Sequence, residues 1–181
     1  SKPNITEQQR LNFEFAAERF RFRYSSLVTP ESVYEYDWLT SELSLLKQAE
    51  IPSGYDPSQY VSERLWAEAA DGARIPISII YRQPLPRDGA RPLLLSGYGA
   101  YGVVMPAVFS ATRLSLLDRG VIYAVAHVRG GGELGRAWYD HGRLLDKQNT
   151  FTDFTVAAEH LIRNGYTNAD HLVAVGGSAG G

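Results

Sequence analysis

The fold of this chain follows from ten residues, Leu172-Val173-Ala174-Val175-Gly176-Gly177-Ser178-Ala179-Gly180-Gly181. The four apolar residues are typical of a buried strand. The remainder contains G-x-S-x-G, whose glycines permit a turn too sharp for flanking side chains, so that the serine hydroxyl is lifted clear of the sheet. The pattern therefore predicts a strand that leads into a nucleophile elbow at Ser178, although a Gly/Ser-rich loop without chemistry has a similar composition.

An elbow serine needs a base, because its hydroxyl is almost fully protonated near neutral pH. In the α/β-hydrolase arrangement the catalytic residues follow one another along the chain as Ser, then Asp or Glu, then His. The histidines are His127, His141, His160 and His171. All of them precede Ser178, so we expect the triad Asp and His beyond Gly181 and interpret the chain as the front part of an enzyme.

Composition argues against several classes of partner. At 181 residues and 44% hydrophobic, the chain can bury one ordinary core. A net charge of −2, with acidic and basic residues well mixed, argues against nucleic acid and acidic membranes. Because there is no cysteine and no histidine pair with metal-ligand spacing, we expect neither a metal nor another cofactor. Because the chain has no cysteine, nothing marks an oxidising compartment, and we expect a cytoplasmic protein. The sequence also has neither the apolar region of a signal peptide nor an apolar stretch of membrane-spanning length.

Beyond residue 60, strand and helix patterns alternate. Arg64–Ala70 and Arg74–Arg82 flank Asp71-Gly72, a strong hairpin signal. Further strands are predicted at Leu93–Leu95, Val121–Ala126 and Leu172–Val175, and helices at Phe109–Arg119 and Asn149–Asn164. In the last helix, Thr150 and Asp153 have the spacing of a capping box. Strands alternating with helices predict a parallel sheet with crossover helices.

Upstream of about residue 50 the sequence has a different character. Asn12–Trp38 is rich in aromatic residues at even spacing, which predicts antiparallel strands with too few partners to close a sheet. Leu39–Gln48 has some helical spacing. Ile51–Pro57 is a linker by its Pro and Gly content.

A glycine-flanked tyrosine follows the first predicted parallel strand. Because carboxyl ends of parallel strands meet at one edge, Tyr98 and the elbow should lie at the same edge of the sheet. The Tyr98 hydroxyl could then face a developing oxyanion together with the backbone N–H of Ala179. A glycine-rich turn whose tyrosines only pack is the alternative that local sequence leaves open.

A second glycine-rich segment permits a different interpretation. Gly130–Gly135 satisfies G-x-G-x-x-G after a strand, and Asp153 follows at roughly the distance of a ribose-binding acid. Yet Asp153 falls at the start of a helix, whereas the fingerprint acid belongs at the end of a second strand. We therefore favour a tight turn over a dinucleotide site. His127, at the end of a strand, is predicted to be a hydrogen-bonded structural residue.

Four ordered motifs stand out: Gly97-Tyr98-Gly99-Ala100-Tyr101-Gly102, Val128-Arg129-Gly130-Gly131-Gly132-Glu133-Leu134-Gly135 with Trp138, Lys147-Gln148-Asn149-Thr150-Phe151, and Gly176-Gly177-Ser178-Ala179-Gly180-Gly181. Together they resemble the prolyl oligopeptidase family of serine peptidases, over about Tyr24 to Gly181. The amino-acid sequences of Leu114–Gly120 and of the elbow, Gly176–Gly181, are most similar to the corresponding segments of oligopeptidase B.

The resemblance implies the N-terminal part of an α/β-hydrolase domain at 51–181, preceded at 1–50 by terminal strands of a β-propeller and a hinge. It implies Ser178 as nucleophile, the Tyr98 hydroxyl and Ala179 N–H as oxyanion hole, and Tyr101 as a wall of the specificity pocket. Short peptides would be the substrates, cleaved after Arg or Lys. The rest of the catalytic domain and propeller would be the partners.

One departure concerns specificity. Some oligopeptidase B sequences carry acidic residues directly after the tyrosine turn, where this chain has the apolar Val103–Val108. Recognition of a second basic residue is therefore not expected from this segment. An esterase or acylaminoacyl hydrolase of the same fold, or an inactive truncated chain, are the alternatives.

Overall fold

The computed structural model describes Glu14 and residues 16–181, so residues 12, 13 and 15 of the predicted aromatic strands lie outside the described part. The described residues form two units. One takes in the residues up to Ser58 together with Ala107–Ala111, and the other takes in Gln59–Pro106 and Thr112–Gly181. The predicted domain division at residue 50 stays a prediction.

The first unit contains a three-stranded antiparallel sheet. Its strands are β1 (Arg19–Tyr24), β2 (Ser32–Asp37) and β3 (Glu42–Gln48), in that order. The aromatic residues predicted to form strands stack along one another, with ring centroids 5.8 Å apart for Phe22 and Tyr34. Cross-strand pairs of aromatic rings such as this one stabilise the pairing of neighbouring antiparallel strands.

The helical spacing predicted for Leu39–Gln48 is wrong, because β3 occupies most of that segment. Leu43 and Leu45 lie opposite Tyr36 and Tyr34 in the β2–β3 register. Leucines at alternate positions of β3 therefore pair across the sheet with tyrosines at alternate positions of β2. This cross-strand pairing outweighs the local helical spacing of the sequence.

The second unit is built on a five-stranded mixed sheet. Its strands are β4 (Tyr60–Glu68), β5 (Arg74–Arg82), β6 (Leu93–Gly97), β7 (Ile122–Ala126) and β8 (Leu172–Val175), in the order β4-β5-β7-β6-β8. β4 and β5 form the predicted hairpin around Asp71-Gly72. β6 pairs parallel with both β7 and β8, which confirms the predicted parallel strands. The prediction that the strand before Ser178 is buried is wrong for the described residues, because β8 is at the end of this sheet and Val173 and Val175 are 54% and 43% exposed.

Helices cross between the parallel strands. They are α1 (Ala111–Leu117), α2 (Arg136–Asp140) and α3 (Gln148–Arg163). Ala157 and Leu161 of α3 are fully buried and belong to the core that also contains Ile75, Ile77 and Ile79 of β5 and Leu93 and Leu95 of β6. Each large aliphatic side chain that is fully buried in this way contributes about 1.5–3 kcal/mol. None of the helices in the described part of the chain is both long and apolar enough to span a membrane.

The core fixes where the functional segments begin. β6 ends at Gly97 and β8 ends at Val175, and the two strands are parallel neighbours. The tyrosine turn and the elbow therefore leave the sheet side by side at its carboxyl edge, as the alternating pattern predicts.

Candidate active site

The elbow has the backbone strain that its sequence predicts. Ser178 has φ of +54°, in the left-handed region that residues other than glycine rarely adopt. It is exposed and begins a short 3₁₀ turn, Ser178–Gly180. A serine held in this way at the end of a strand presents its hydroxyl outward.

The two glycines of the motif are required by close contacts. A Cβ on Gly176 would overlap the carbonyl oxygen of Gly180. A Cβ on Gly180 would lie 2.9 Å from the Cα of Tyr98, closer than Cβ atoms approach. The elbow therefore folds tightly on itself and against the tyrosine turn.

The tyrosine turn is packed just as closely from the other side. A Cβ on Gly97 would lie 2.8 Å from the ring of Phe154. Gly99 has φ of +67°, and a Cβ there would overlap the methyl groups of Thr150 and Val128. Tyr98 is thus held between two glycines that let α3 approach the backbone.

Tyr98 and Ala179 line one cavity of about 370 Å³. Its other walls are largely apolar, and they include Val128, Phe151, Phe154, Ala174 and Val175. The two residues expected to form the oxyanion hole are thus neighbours at the same apolar cavity, where hydrogen bonds to a developing charge are worth more than in water.

Tyr101 lies in the same turn but faces solvent. It is 76% exposed and has φ of +57°. The following valines, Val103 and Val104, are also largely exposed. Tyr101, the residue predicted to wall the specificity pocket, is therefore accessible to solvent, and the apolar residues Val103–Val108 that follow it include no carboxylate.

The predicted capping box is wrong. Helix α3 begins at Gln148, and the residue before it, Lys147, makes no side-chain capping hydrogen bond. Thr150 and Asp153 are both buried instead. The Thr150 Oγ1 atom lies 2.7 Å from the carbonyl oxygen of Arg129 and 3.4 Å from that of Gly99, so long-range contacts replace the local cap.

Asp153 is engaged by Arg129. The Nη2 and Nε atoms of Arg129 donate to the two carboxylate oxygens at 2.6 Å and 2.9 Å, and its backbone N donates at 2.9 Å. Nη1 donates at 2.6 Å to Asp71 of the β4–β5 turn. These hydrogen bonds, the Asp153 pair above all, raise the pKa of Arg129, and the pair with Arg129 lowers the pKa of Asp71.

This pairing also decides between the two interpretations of Gly130–Gly135. Asp153 has no face free for a ribose, because three donors of Arg129 converge on it. A Cβ on Gly130 would overlap the carbonyl oxygen of Gly99. The glycines thus serve a tight turn packed beneath the tyrosine turn, as favoured from the sequence.

His127 is a buried structural residue, as predicted. Its Nε2 atom lies 2.8 Å from Ser78 Oγ, and its Nδ1 atom lies 3.3 Å from Glu133 Oε1. Glu133 Oε1 also accepts a hydrogen bond from the backbone N of Met105 at 2.9 Å. The three side chains resemble a Ser-His-Glu triad, but Ser78 and His127 are only 3% and 2% exposed, so no substrate reaches them. Ser78 and Glu133 were not predicted as partners of His127.

Lys147 was also missed as a site residue. Its Nζ atom donates to the carbonyl oxygen of Gly99 at 2.6 Å, directly after Tyr98 in the chain. Burial lowers the pKa of Lys147. A lysine directly before a helix opposes the helix dipole, and that anomaly is the signal by which the sequence could have revealed it. Among the described residues no group of acidic or histidine side chains has the arrangement of a metal site.

Comparison with known proteins identifies relatives for most of the chain. Residues 107–181 match the model of the prolyl oligopeptidase family. The chain is 50% identical over 171 residues to dipeptidyl aminopeptidase BI of Pseudoxanthomonas mexicana, covering 94% of this chain and 24% of the relative. It is 42% identical over 159 residues to protease 2 of Moraxella lacunata, covering 88% and 23%.

A solved structure gives the same result for the fold. Oligopeptidase B from Leishmania major superimposes with a TM-score of 0.84 at 41% identity, covering 97% of this chain and 24% of that one. The likeness confirms the predicted fold class, the N-terminal part of an α/β-hydrolase domain preceded by terminal strands of a β-propeller. The chain spans about a quarter of the length of these relatives.

Proposed function

Since this chain belongs to the prolyl oligopeptidase family, we propose that it carries the nucleophile and the oxyanion hole of a serine oligopeptidase. The observation that carries the proposal is an exposed Ser178 with a strained backbone, in an elbow whose Gly180 packs against Tyr98. Ser178 Oγ gives its proton to the base and attacks the scissile carbonyl carbon; the C–N bond then breaks, the amine leaves with that proton, and an acyl-enzyme ester remains. Water hydrolyses the ester to the free carboxylic acid and regenerates the Ser178 hydroxyl.

The oxyanion hole is proposed to consist of two donors from separate segments. The negative oxygen of the tetrahedral intermediate accepts hydrogen bonds from the Tyr98 hydroxyl and from the backbone N–H of Ala179. The apolar cavity that both residues line supports this role, because a low dielectric strengthens such bonds. The base and its carboxylate partner are proposed to follow Ser178 in the complete enzyme.

We propose short peptides as substrates, with cleavage after Arg or Lys, on the strength of the likeness to oligopeptidase B. Tyr101, exposed in the tyrosine turn, is proposed to wall the pocket for the cleaved residue. The preceding residue of the substrate faces a segment without carboxylates, Val103–Val108. A cytoplasmic location and the absence of nucleic-acid and membrane partners stay predictions from composition.

The specificity proposal has a quantitative test. Without a carboxylate after the tyrosine turn, a second basic residue gains no ion pair from this segment. We therefore expect the complete enzyme to prefer Arg-Arg over Ala-Arg amides by less than about tenfold in kcat/KM, or roughly 1.4 kcal/mol. A hundredfold preference at fixed ionic strength would show that acidic groups from another part of the fold supply that subsite.

The central experiment labels the nucleophile. A phosphonate that reacts with serine hydrolases should modify the complete enzyme at Ser178, and Ser178→Ala should abolish both labelling and turnover of an Arg-ended amide. Ser53→Ala, at an exposed serine outside the hydrolase sheet, is the matched control. Retained turnover in Ser178→Ala would overturn the proposal, and hydrolysis of esters but not amides would indicate an esterase instead.

We further propose that the 181-residue chain alone is inactive. All of its histidines precede Ser178, and His127, whose ring lies 2.8 Å from Ser78 Oγ, is buried. Turnover of an Arg-ended amide by the purified 181-residue chain, lost in Ser178→Ala, would refute this statement.

A further inference from the structure

The carbonyl group directly after Tyr98 is held by a lysine side chain. Lys147 Nζ donates to the Gly99 oxygen at 2.6 Å, a short distance typical of a charge-assisted hydrogen bond. Nζ also lies 3.3 Å from Thr150 Oγ1. Lys147 thus reaches back 48 residues to the turn that presents the proposed oxyanion donor.

Thr150 does not replace Lys147 as the hydrogen-bond donor to the Gly99 carbonyl. Its Oγ1 atom lies near three carbonyl oxygens, those of Arg129 at 2.7 Å, Gly142 at 3.2 Å and Gly99 at 3.4 Å. A hydroxyl carries one proton, and the shortest distance assigns it to Arg129. The Gly99 carbonyl therefore depends on Lys147 for its strong hydrogen bond.

Part of the turn faces solvent. Tyr101 and Gly102 both have positive φ, and Tyr101 is exposed. The backbone N of Gly102 donates to the Gly130 oxygen at 3.0 Å, which anchors the far end of the turn. Lys147 and Gly130 thus hold the two ends of the segment that begins with Tyr98.

Lys147 occupies an unfavourable position. It precedes helix α3, where the dipole repels a cation, and burial lowers its pKa. It forms no salt bridge among the described residues, and the centroid of the Phe151 ring lies 5.7 Å from Nζ, within cation–π distance. The helix dipole and the loss of hydration oppose this cation, so the hydrogen bond to the Gly99 carbonyl and the contact with the Phe151 ring are what hold it in place.

We propose that Lys147 is a positioning residue for the oxyanion hole, acting through the Gly99 carbonyl on the Tyr98 phenol. The inference rests on the proposed function, since it requires Tyr98 to donate to the oxyanion. A shift of about 1 Å in a catalytic group lowers the rate by up to about 10²-fold. Loss of Lys147 should therefore lower kcat and leave KM nearly unchanged, because the phenol contributes mainly in the transition state.

The test is a double-mutant cycle in the complete enzyme. Lys147→Met should lower kcat by about tenfold or more, bounded by the roughly 10²–10³-fold loss that Tyr98→Phe produces as one lost oxyanion donor. In the Tyr98→Phe background, Lys147→Met should lower kcat by less than about twofold, because the hydroxyl it positions is gone. Lys147→Arg, which keeps a cationic donor, should recover most of kcat, and Lys47→Met, at an exposed lysine, is the charge-matched control.

Three outcomes overturn the inference. The first is an equal fold-loss from Lys147→Met in both backgrounds, which would make its effect independent of Tyr98. The second is an unchanged kcat in Lys147→Met, and the third is an unchanged kcat in Tyr98→Phe. If Lys147→Met is poorly folded, the inference is tested with Lys147→Arg instead. In that variant the amides of residues 98–102 should be as protected from exchange as in the wild type, and kcat should be retained. The proposed function fails by a separate result, namely retained turnover in Ser178→Ala.

Discussion

Replacing Asp153 by asparagine should destabilise the protein more than almost any other single polar substitution in the sheet unit. The Asp153 carboxylate is completely buried and accepts hydrogen bonds from two side-chain nitrogens and the backbone N of Arg129. The Arg129 side chain is only 7% exposed. The substitution Asp153→Asn would leave this buried guanidinium facing an amide whose NH₂ group repels it.

The expected loss of unfolding free energy depends on how deeply each carboxylate partner of Arg129 is buried. Removing one member of a buried ion pair costs about 3–5 kcal/mol, because the other charge stays buried without compensation. Asp71 still pairs with Arg129 at 2.6 Å, which places the expected loss near the lower end, about 3 kcal/mol. Asp71 itself is 48% exposed, so Asp71→Asn should cost less than about 1 kcal/mol.

The assay is urea unfolding of each variant at pH 7, followed by amide exchange at the turn that begins with Arg129. Asp153→Asn should lower the unfolding midpoint clearly and accelerate exchange at residues 129–132, whereas Asp71→Asn should do neither strongly. Arg129→Met combined with Asp153→Leu should be more stable than Asp153→Asn, since no buried charge then lacks a partner. Equal losses in Asp153→Asn and Asp71→Asn would refute the reasoning, because they would show that burial does not decide the cost.

Three further predictions concern the elbow and the turns beneath it. Gly176→Ala should abolish phosphonate labelling of Ser178, because the added methyl overlaps a backbone carbonyl, whereas Gly177→Ala should label normally, since no atom lies within 4 Å of a Cβ there. Glu133→Ala should speed amide exchange at Met105 and cost about 1–3 kcal/mol of unfolding free energy, because it removes the carboxylate that accepts from the part-buried Met105 N–H and that lies beside the buried His127. The side-chain hydrogen bond from Arg129 lowers the pKa of Asp71, so the stability that this carboxylate contributes is fully present above its unfolded pKa of about 3.9 and is lost as pH falls through the lower folded pKa. The difference in unfolding free energy between wild type and Asp71→Asn should therefore shrink as pH falls below about 3.9. A gap that widens in acid would contradict that last expectation.

The sheet could be predicted from sequence because its signals are local. The apolar run before Ser178 and the Asp71-Gly72 turn each specify one element within about ten residues. Parallel pairing of β6 with β7 and β8 then follows from the intervening helices. The elbow was equally accessible, since its glycines and its strained serine belong to one short motif.

The hydrogen bonds that hold the turns of the candidate site in place could not be predicted, because the two residues of each bond lie far apart in the chain. Asp153 is 24 residues from Arg129, and Lys147 is 48 residues from Gly99. Thr150 and Asp153 have the spacing of a capping box, but that spacing also places two polar side chains on the inner face at the start of α3. Only the fold shows that buried carbonyls and a buried guanidinium lie opposite them there, and such groups outweigh a cap worth about 1 kcal/mol.

The elbow motif itself carries a tertiary constraint. Gly176 is required by the turn alone, because the atom its side chain would meet belongs to Gly180 four residues later. Gly180 is required by a different segment, because a side chain there would meet the backbone of Tyr98. Neither constraint applies to Gly177, because no atom lies within 4 Å of a Cβ built there and its φ of −156° is ordinary extended backbone. This agrees with its place at a variable position of G-x-S-x-G. The second glycine of the motif therefore sets how closely the serine turn approaches the tyrosine turn, and the spacing between the proposed nucleophile and its proposed oxyanion donor depends on the absence of one side chain.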